Sequence, residues 1–401
     1  MVKSSVETWR KKIENRKTRI LVAMIEAGGA HKTTAVAVAE ALVKLFPEKY
    51  HTEIYDFCYH VGAVDFDLKH KAQWDFYLAH KSIVRIGYHF QNSMGSITRQ
   101  YLKTWGKEFF EKGVQWLRDN PPDVFFTTHF LSAGVALDAK KLYPELRFPV
   151  VLFNCEPHDT SALWVWKGVD YFICSSITAA NLAILKGMKK EKIRIFEFPV
   201  REIFFTGTKT REQLCRELGL DPSKRTLLMS AGGQGRGAIE SIAPEIAESN
   251  LDINLIVVCG KNDDLFERLD KIRKKGTGKT HFLPIGFANN MNELVFVSDV
   301  MATKAGPASS YEAIYLGKPL AFIDFVENEK ATMRFFIDNG LGFQTETRKK
   351  LVHFMHRVTE SPEFYAKLSR RIKRMCLRNG SEDIARFIGA VAENWPHEHR
   401  E

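Results

Sequence analysis

The side chains in this sequence that could act together on a substrate are an imidazole, a carboxylate cluster, two glycine turns and a serine–glutamate pair. His31 follows Glu26-Ala27-Gly28-Gly29-Ala30 and opens a stretch of helical period. An imidazole of ordinary pKa, ~6.5, takes a hydroxyl proton at neutral pH, as an alcohol attacking an electrophilic carbon such as an anomeric one requires. At a helix mouth it could equally serve only as a cap. Glu156, in Asn154-Cys155-Glu156-Pro157-His158-Asp159, follows another apolar run and brings a carboxylate to the same edge. The turn Gly28, Gly29, Ala30 and the turn Ser230-Ala231-Gly232-Gly233-Gln234-Gly235-Arg236-Gly237 each join a strand-like run to a helix-like one. Glycines there let backbone approach a diphosphate, and the helix start supplies free N–H groups and positive potential. They could also serve only tight packing. Two such turns in matching positions favour a ligand held between two halves.

His31-Lys32-Thr33 resembles the end of a P-loop only superficially, because the glycine before the lysine and the spacing from the first glycine are missing. Lys304-Ala305-Gly306-Pro307-Ala308-Ser309-Ser310-Tyr311-Glu312 follows Val300 to Thr303 and starts a further helix. Its spacing alone favours a capping box, with Ser309 as cap and Glu312 as the third-position carboxylate. No His, Cys or carboxylate set has metal-ligand spacing, and His397-Glu398-His399 reads as a frayed end.

The elements that must position these groups alternate. Strand runs at 19–25, 53–57, 124–127, 150–153, 171–174 and 193–196 are followed by turns and helical stretches, and the pattern restarts near 205 with 227–230, 254–259, 282–285, 300–303 and 320–324. This predicts an α/β protein of two doubly wound parallel sheets. Residues 58–118 break the rhythm and read as a helical insert of alternating basic and aromatic side chains, among them Lys69, Lys71, Trp74, Tyr77, Lys81 and Arg85. The tail from 347 reads as helical.

The chain has 401 residues, 45% hydrophobic and 26% charged, with a net charge of +10, which fits a packed protein with an anionic partner. Its six cysteines stand singly and read as reduced core residues. The polar N-terminal stretch and the lack of a long apolar run predict a cytoplasmic protein whose membrane contact is peripheral, on the inner face of the cell membrane. No nucleic-acid-binding motif is visible.

Taken in order, several stretches resemble the monogalactosyldiacylglycerol synthase and processive diacylglycerol glucosyltransferase family. The first turn with His31 is similar to its GGGH element, and Trp164-Val165-Trp166-Lys167-Gly168-Val169-Asp170 to its W-x-H-K-G-x-D segment. Ala231-Gly232-Gly233-Gln234-Gly235 resembles GGGEG, and Gly286-Phe287-Ala288-Asn289-Asn290-Met291 resembles G-F-x-x-x-M. Thr303-Lys304-Ala305-Gly306-Pro307 through Glu312-Ala313 resembles T-K-A-G-P-G-T-x-x-E-A, with Ala308 in place of a glycine. Asn328-Glu329 stands where the family has a Gln-Glu or Gln-Gln donor-sugar pair.

The resemblance implies a GT-B fold with three parts: an acceptor- and membrane-binding domain over 1–204, a nucleotide-sugar domain over 205–345, and helices from 346 to 401 packing back on the first. It implies an inverting, metal-independent transfer of a hexose from UDP-glucose or UDP-galactose to diacylglycerol or a similar lipid on an anionic membrane surface, without a cofactor. Transfer to an isoprenoid or other glycan acceptor, or binding without catalysis, are the alternatives. It also implies that His31 is the general base, with Glu156 as alternative base or orienting partner. Glu312 would grip the ribose, Ser309 the donor phosphate, and residues near Phe287 and Ala288 the uracil, with Gly232, Gly233, Gly235, Gly286, Lys304, Ala305, Gly306 and Pro307 also at the donor site.

Overall fold

The computed structural model describes residues 17–26, 28–79 and 81–395. The side chains of Trp74, Tyr77 and Lys81, and the terminal His397 and His399, lie outside what is described. Strands β1 (Thr18–Met24), β2 (Tyr50–Asp56), β3 (Val124–Thr127), β4 (Val150–Phe153), β5 (Tyr171–Cys174) and β6 (Ile193–Ile195) form one sheet in the order β2-β1-β3-β4-β5-β6. Strands β7 (Thr226–Ser230), β8 (Asn254–Val258), β9 (His281–Ile285), β10 (Val300–Lys304), β11 (Leu320–Asp324) and β12 (Gly342–Gln344) form a second, in the order β12-β11-β10-β7-β8-β9. Every pairing is parallel. Helices cover both faces of a parallel sheet, so its central strands are largely apolar: Ile20 to Ala23 and Leu255 to Val257 are wholly buried, whereas edge strand β2 is mostly polar.

In the first lobe α1 (Gly29–Leu45) follows β1. Between β2 and β3 come α2 (Phe57–His60), α3 (Val64–Ala79), α4 (Lys81–Ser93), α5 (Gly95–Trp105) and α6 (Lys107–Asp119), with no strand among the described residues. This is the expected helical insert. Then α7 (Phe130–Leu142) follows β3 and α8 (Ile177–Leu185) follows β5. The second lobe carries α9 (Arg211–Glu217), α10 (Ile239–Ala247), α11 (Asp263–Lys275), α12 (Met291–Val297), α13 (Pro307–Tyr315) and α14 (Lys330–Asp338). After β12 come α15 (Arg348–Glu360), α16 (Pro362–Arg374) and α17 (Ser381–Asn394).

The first two of these last helices bury Leu351, Phe354, Met355 and Leu368 in the core of the second sheet. The chain then returns to the first lobe, where α17 packs on α1 and β3. The return is pinned by Asn379, whose side chain donates to the Val200 carbonyl at 2.7 Å and accepts from the Val200 N–H at 2.8 Å. The inward face of α1 is mostly alanine (Ala35, Ala37, Ala39, Ala41), so neighbouring elements approach it closely.

Both sheets reverse strand order at one place, between β1 and β3 in the first and between β7 and β10 in the second. There the connecting helices leave in opposite directions and a crevice opens beyond the strand carboxyl ends. The two lobes also touch directly. Helix α13 packs against α1. Tyr311 of α13 is 1% exposed, stacks on Phe198 with centroids 4.8 Å apart, and meets His158 Nε2 at 2.8 Å through its hydroxyl.

Candidate active site

In the first lobe the crevice is filled by His31 from the β1 turn and by Thr128 and His129 from the β3 turn. Gly28, at φ 85°, caps α1 in a conformation that glycine adopts without penalty, and a side chain at Gly29 would meet nothing within 4 Å. The turn therefore leaves open space beside the helix start, and Ala30 packs against the core. His31 lies 2.5 Å through Nδ1 from the Thr128 carbonyl oxygen, while the Thr128 hydroxyl donates to the His31 carbonyl at 2.9 Å. A carbonyl only accepts, so Nδ1 carries the proton and Nε2 keeps its lone pair. Burial lowers His31 to about 4, against the opposing pull of the Thr128 carbonyl, which keeps the ring neutral.

The partner of His31 Nδ1 is thus the Thr128 carbonyl, whereas Glu156, expected as alternative base or orienting partner, is engaged elsewhere in the loop. The Glu156 carboxylate accepts the Ser161 N–H at 3.0 Å and the Trp164 side chain, and the Trp164 ring stacks on His31 with centroids 5.8 Å apart. Burial, then the charge of Asp159, pushes Glu156 up to about 7. The insert braces this loop: the Tyr88 hydroxyl donates to Asp159 at 2.9 Å, and the Asn92 side chain accepts the Ala162 N–H at 2.8 Å.

In the second lobe a pocket is lined by Ala231, Gln234, Arg236, Gly237, Lys304, Asp324, Phe325, Val326 and Glu329. It lies where the β7 turn meets the ends of β10 and β11. Lys304 Nζ lies 3.1 Å from Glu329 Oε1, and Glu329 also accepts the Val326 N–H at 3.2 Å. Asn328 stands beside it on the same single turn, Glu327–Glu329, and is half-buried. Gly232 and Gly235 have φ of 78° and 61°, and Gly233 is open to approach. A Cβ at Gly235 would lie 1.7 Å from the Cys259 carbonyl oxygen. Gly235→Ala adds strain of about 1–3 kcal/mol to a backbone collision. The expected result is a turn pushed out of place, read as a lowered melting temperature in thermal unfolding.

The capping box expected at Ser309 does not form. Pro307 is the first helical residue and Gly306 the cap, so Ser309 and Glu312 both lie inside α13. The fixed φ of proline starts the helix earlier than the serine could. Ser310 donates back to the Gly306 carbonyl at 2.9 Å, and Ala305 is fully buried. Glu312 is 8% exposed, and burial, opposed by Arg201, raises it to about 7. Gly286, Phe287 and Ala288 follow β9 at the far edge of this sheet, with Phe287 57% exposed.

On the insert, Lys69 and Arg85 are exposed, whereas Lys71 is held by Asp67 at 2.6 Å. Sequence reasoning passed over Thr128, His129, Arg236, Asp324 and the His158–Tyr311 contact. A polar pair directly after β3 was the available signal for the first two. The contact between lobes had none, because it joins residues 153 positions apart.

The description "Monogalactosyldiacylglycerol (MGDG) synthase" matches residues 31–200, and "Glycosyltransferase family 28 C-terminal domain" matches residues 231–334. The chain is 25% identical over 337 residues to the probable monogalactosyldiacylglycerol synthase 2, chloroplastic, of Oryza sativa subsp. indica, covering 80% of this chain and 70% of that one. It is 26% identical over 355 residues to monogalactosyldiacylglycerol synthase 1, chloroplastic, of Arabidopsis thaliana, covering 84% and 64%. In fold it is similar to MurG of Acinetobacter baumannii, with TM-score 0.58, 13% identity and coverage of 94% and 100%. It is similar also to HepE of Anabaena, solved in complex with UDP-glucose, with TM-score 0.56, 13% identity and coverage of 94% and 99%. The ordered turns of both lobes and these matches agree: the chain has the GT-B fold, its first half is similar to monogalactosyldiacylglycerol synthases, and its second half is similar to the C-terminal domain of glycosyltransferase family 28.

Proposed function

We propose that this chain transfers a hexose from UDP-glucose or UDP-galactose to the hydroxyl of diacylglycerol or a similar membrane lipid, with inversion. The observation that carries the reading is the His31 tautomer. With Nδ1–H fixed on the Thr128 carbonyl, Nε2 is a neutral base at the crevice, on the helix that packs against α13. The acceptor hydroxyl gives its proton to Nε2 and its oxygen bonds to the anomeric carbon. The bond from that carbon to the diphosphate oxygen breaks, and UDP leaves with the electron pair. Lys304 and Arg236, which line one pocket, take the diphosphate charge together with the glycine turn and the start of α13. Glu312 grips the ribose, Ser309 a phosphate, and Gly286 to Ala288 the uracil. Asn328 and Glu329 face the sugar. This reading assigns no metal to the step.

The insert is assigned to an anionic membrane surface. Among the described residues no helix is long and apolar enough to cross a membrane. Three insert helices instead expose apolar pairs one turn apart: Val64 and Leu68, Ile86 and Phe90, Ile97 and Tyr101. They stand beside the exposed cations Lys69 and Arg85. Apolar side chains entering the interface next to cations on an anionic leaflet describe a surface-bound protein. Ile86→Asp with Phe90→Asp is expected to lower the fraction pelleting with phosphatidylglycerol vesicles about tenfold while leaving UDP binding unchanged. Equal pelleting would remove the insert from the membrane.

The decisive assay supplies radiolabelled UDP-glucose or UDP-galactose and vesicles containing dioleoylglycerol. A labelled glycolipid is the expected product. Release of free sugar alone, or no turnover with either donor, would contradict the reading.

A further inference from the structure

Resting on that reading, a second feature of the crevice bears on how the lipid's polar end is held. Helix α3 of the insert brings a third imidazole to the site. His70 lies edge-on to His129 with centroids 5.5 Å apart, and His129 lies 4.7 Å from His31. The three rings form a row walled by Trp164 on His31, Phe130 on His129 at 4.5 Å, and Phe66 and Trp105 on His70 at 5.6 and 6.2 Å.

Their polar atoms are not equally engaged. His31 donates through Nδ1 to Thr128, and His129 Nδ1 accepts the Leu131 N–H at 3.2 Å, closing the start of α7. His70 Nδ1 is buried and has no hydrogen-bond partner among the described residues. Burial, then the nearby His31, lowers His70 to about 4, so the ring is neutral and carries one N–H. An unpaired buried ring nitrogen costs about 1–3 kcal/mol. That cost points to a group that a bound ligand would complete. Ring packing against Phe66 and Trp105 alone would be served equally well by phenylalanine.

We propose that His70 is an acceptor-positioning residue: its Nδ1–H donates to the ester carbonyl oxygen of the lipid nearest the reacting hydroxyl, holding that hydroxyl at His31. The insert then does more than touch the membrane. It supplies the group that distinguishes an acylated glycerol from a plain long-chain alcohol, and the aromatic walls receive the start of the acyl chains.

The test compares three acceptors in mixed micelles with the full chain: dioleoylglycerol, the corresponding dialkylglycerol with ether linkages, and oleyl alcohol. Ether oxygens accept hydrogen bonds poorly and the alcohol has no second oxygen. The native chain should prefer the ester, and His70→Phe should lower kcat/KM for the ester about tenfold while changing the other two little. His70→Asn places an amide near the Nδ1 position and should keep the ester preference. His70→Gln reaches toward Nε2 and should lose it, a comparison that stands even if the phenylalanine variant fails to fold. A parallel fall for all three acceptors, or no ester preference in the native chain, would overturn the proposal. If the native chain glycosylates none of the three, the transfer reading itself fails, and this inference with it.

Discussion

His31→Ala is expected to reduce kcat about a thousandfold while leaving the donor KM within about twofold, since a positioned general base contributes ~10²–10⁴ and does not hold the nucleotide. The variant keeps its fold, because α1 is fixed by Thr34, Ala35, Val38 and Leu42 rather than by its first turn. The pH profile separates the two candidate bases. A base acts when deprotonated, so its activity is lost as pH falls through its pKa. His31 is held at about 4 by burial, and Glu156 is raised to about 7. With His31 as base, kcat at saturating donor stays level from pH 8 down to the low fives and falls only toward about 4. With Glu156 as base it would already be halved near 7. Glu156→Gln provides the check: a retained low-pH limb leaves the role with His31, and loss of most of kcat transfers it to Glu156.

Glu312→Ala is the second large effect. A buried carboxylate that accepts hydrogen bonds from a sugar diol contributes about 1.5–3 kcal/mol, so the donor KM should rise about 10- to 150-fold. Lipid affinity should not change, because α13 lies in the second lobe and the insert in the first. The same residue gives the donor interaction its own pH dependence. Glu312 is raised to about 7, and the ionised form is the better acceptor, so the donor KM should climb as pH falls through about 7 while kcat holds. Isothermal titration with UDP at pH 6 and pH 8 reads this directly. An unchanged KM in Glu312→Ala would remove the residue from the ribose.

Most strands could be read in the chain because parallel strands buried on both faces are written as short apolar runs between turns. Val124–Thr127, Val150–Phe153, Tyr171–Cys174 and Leu320–Asp324 fall where the pattern puts them. Strand β12 was not legible. Gly342 to Gln344 has three residues at the sheet edge, too few for a period. The start of α13 was misread for a different reason: serine and glutamate three apart fit a capping box, yet the proline two residues earlier had already fixed the helix start.

By itself the sequence determined the two half-sheets, the positions of the glycine turns, the helical insert and the residue types at each strand end, because these depend on local periodicity and on backbone conformations that few residues adopt. Only the tertiary structure decided which of those groups meet. The order β2-β1-β3 sets the turn after residue 24 beside the turn after residue 127, and so gives His31 its Thr128 carbonyl and its neighbour His129. Packing α3 on that crevice adds His70, and packing α13 on α1 brings Tyr311 to His158. Such pairings depend on strand order and burial between residues far apart in the chain, and no short-range pattern encodes them.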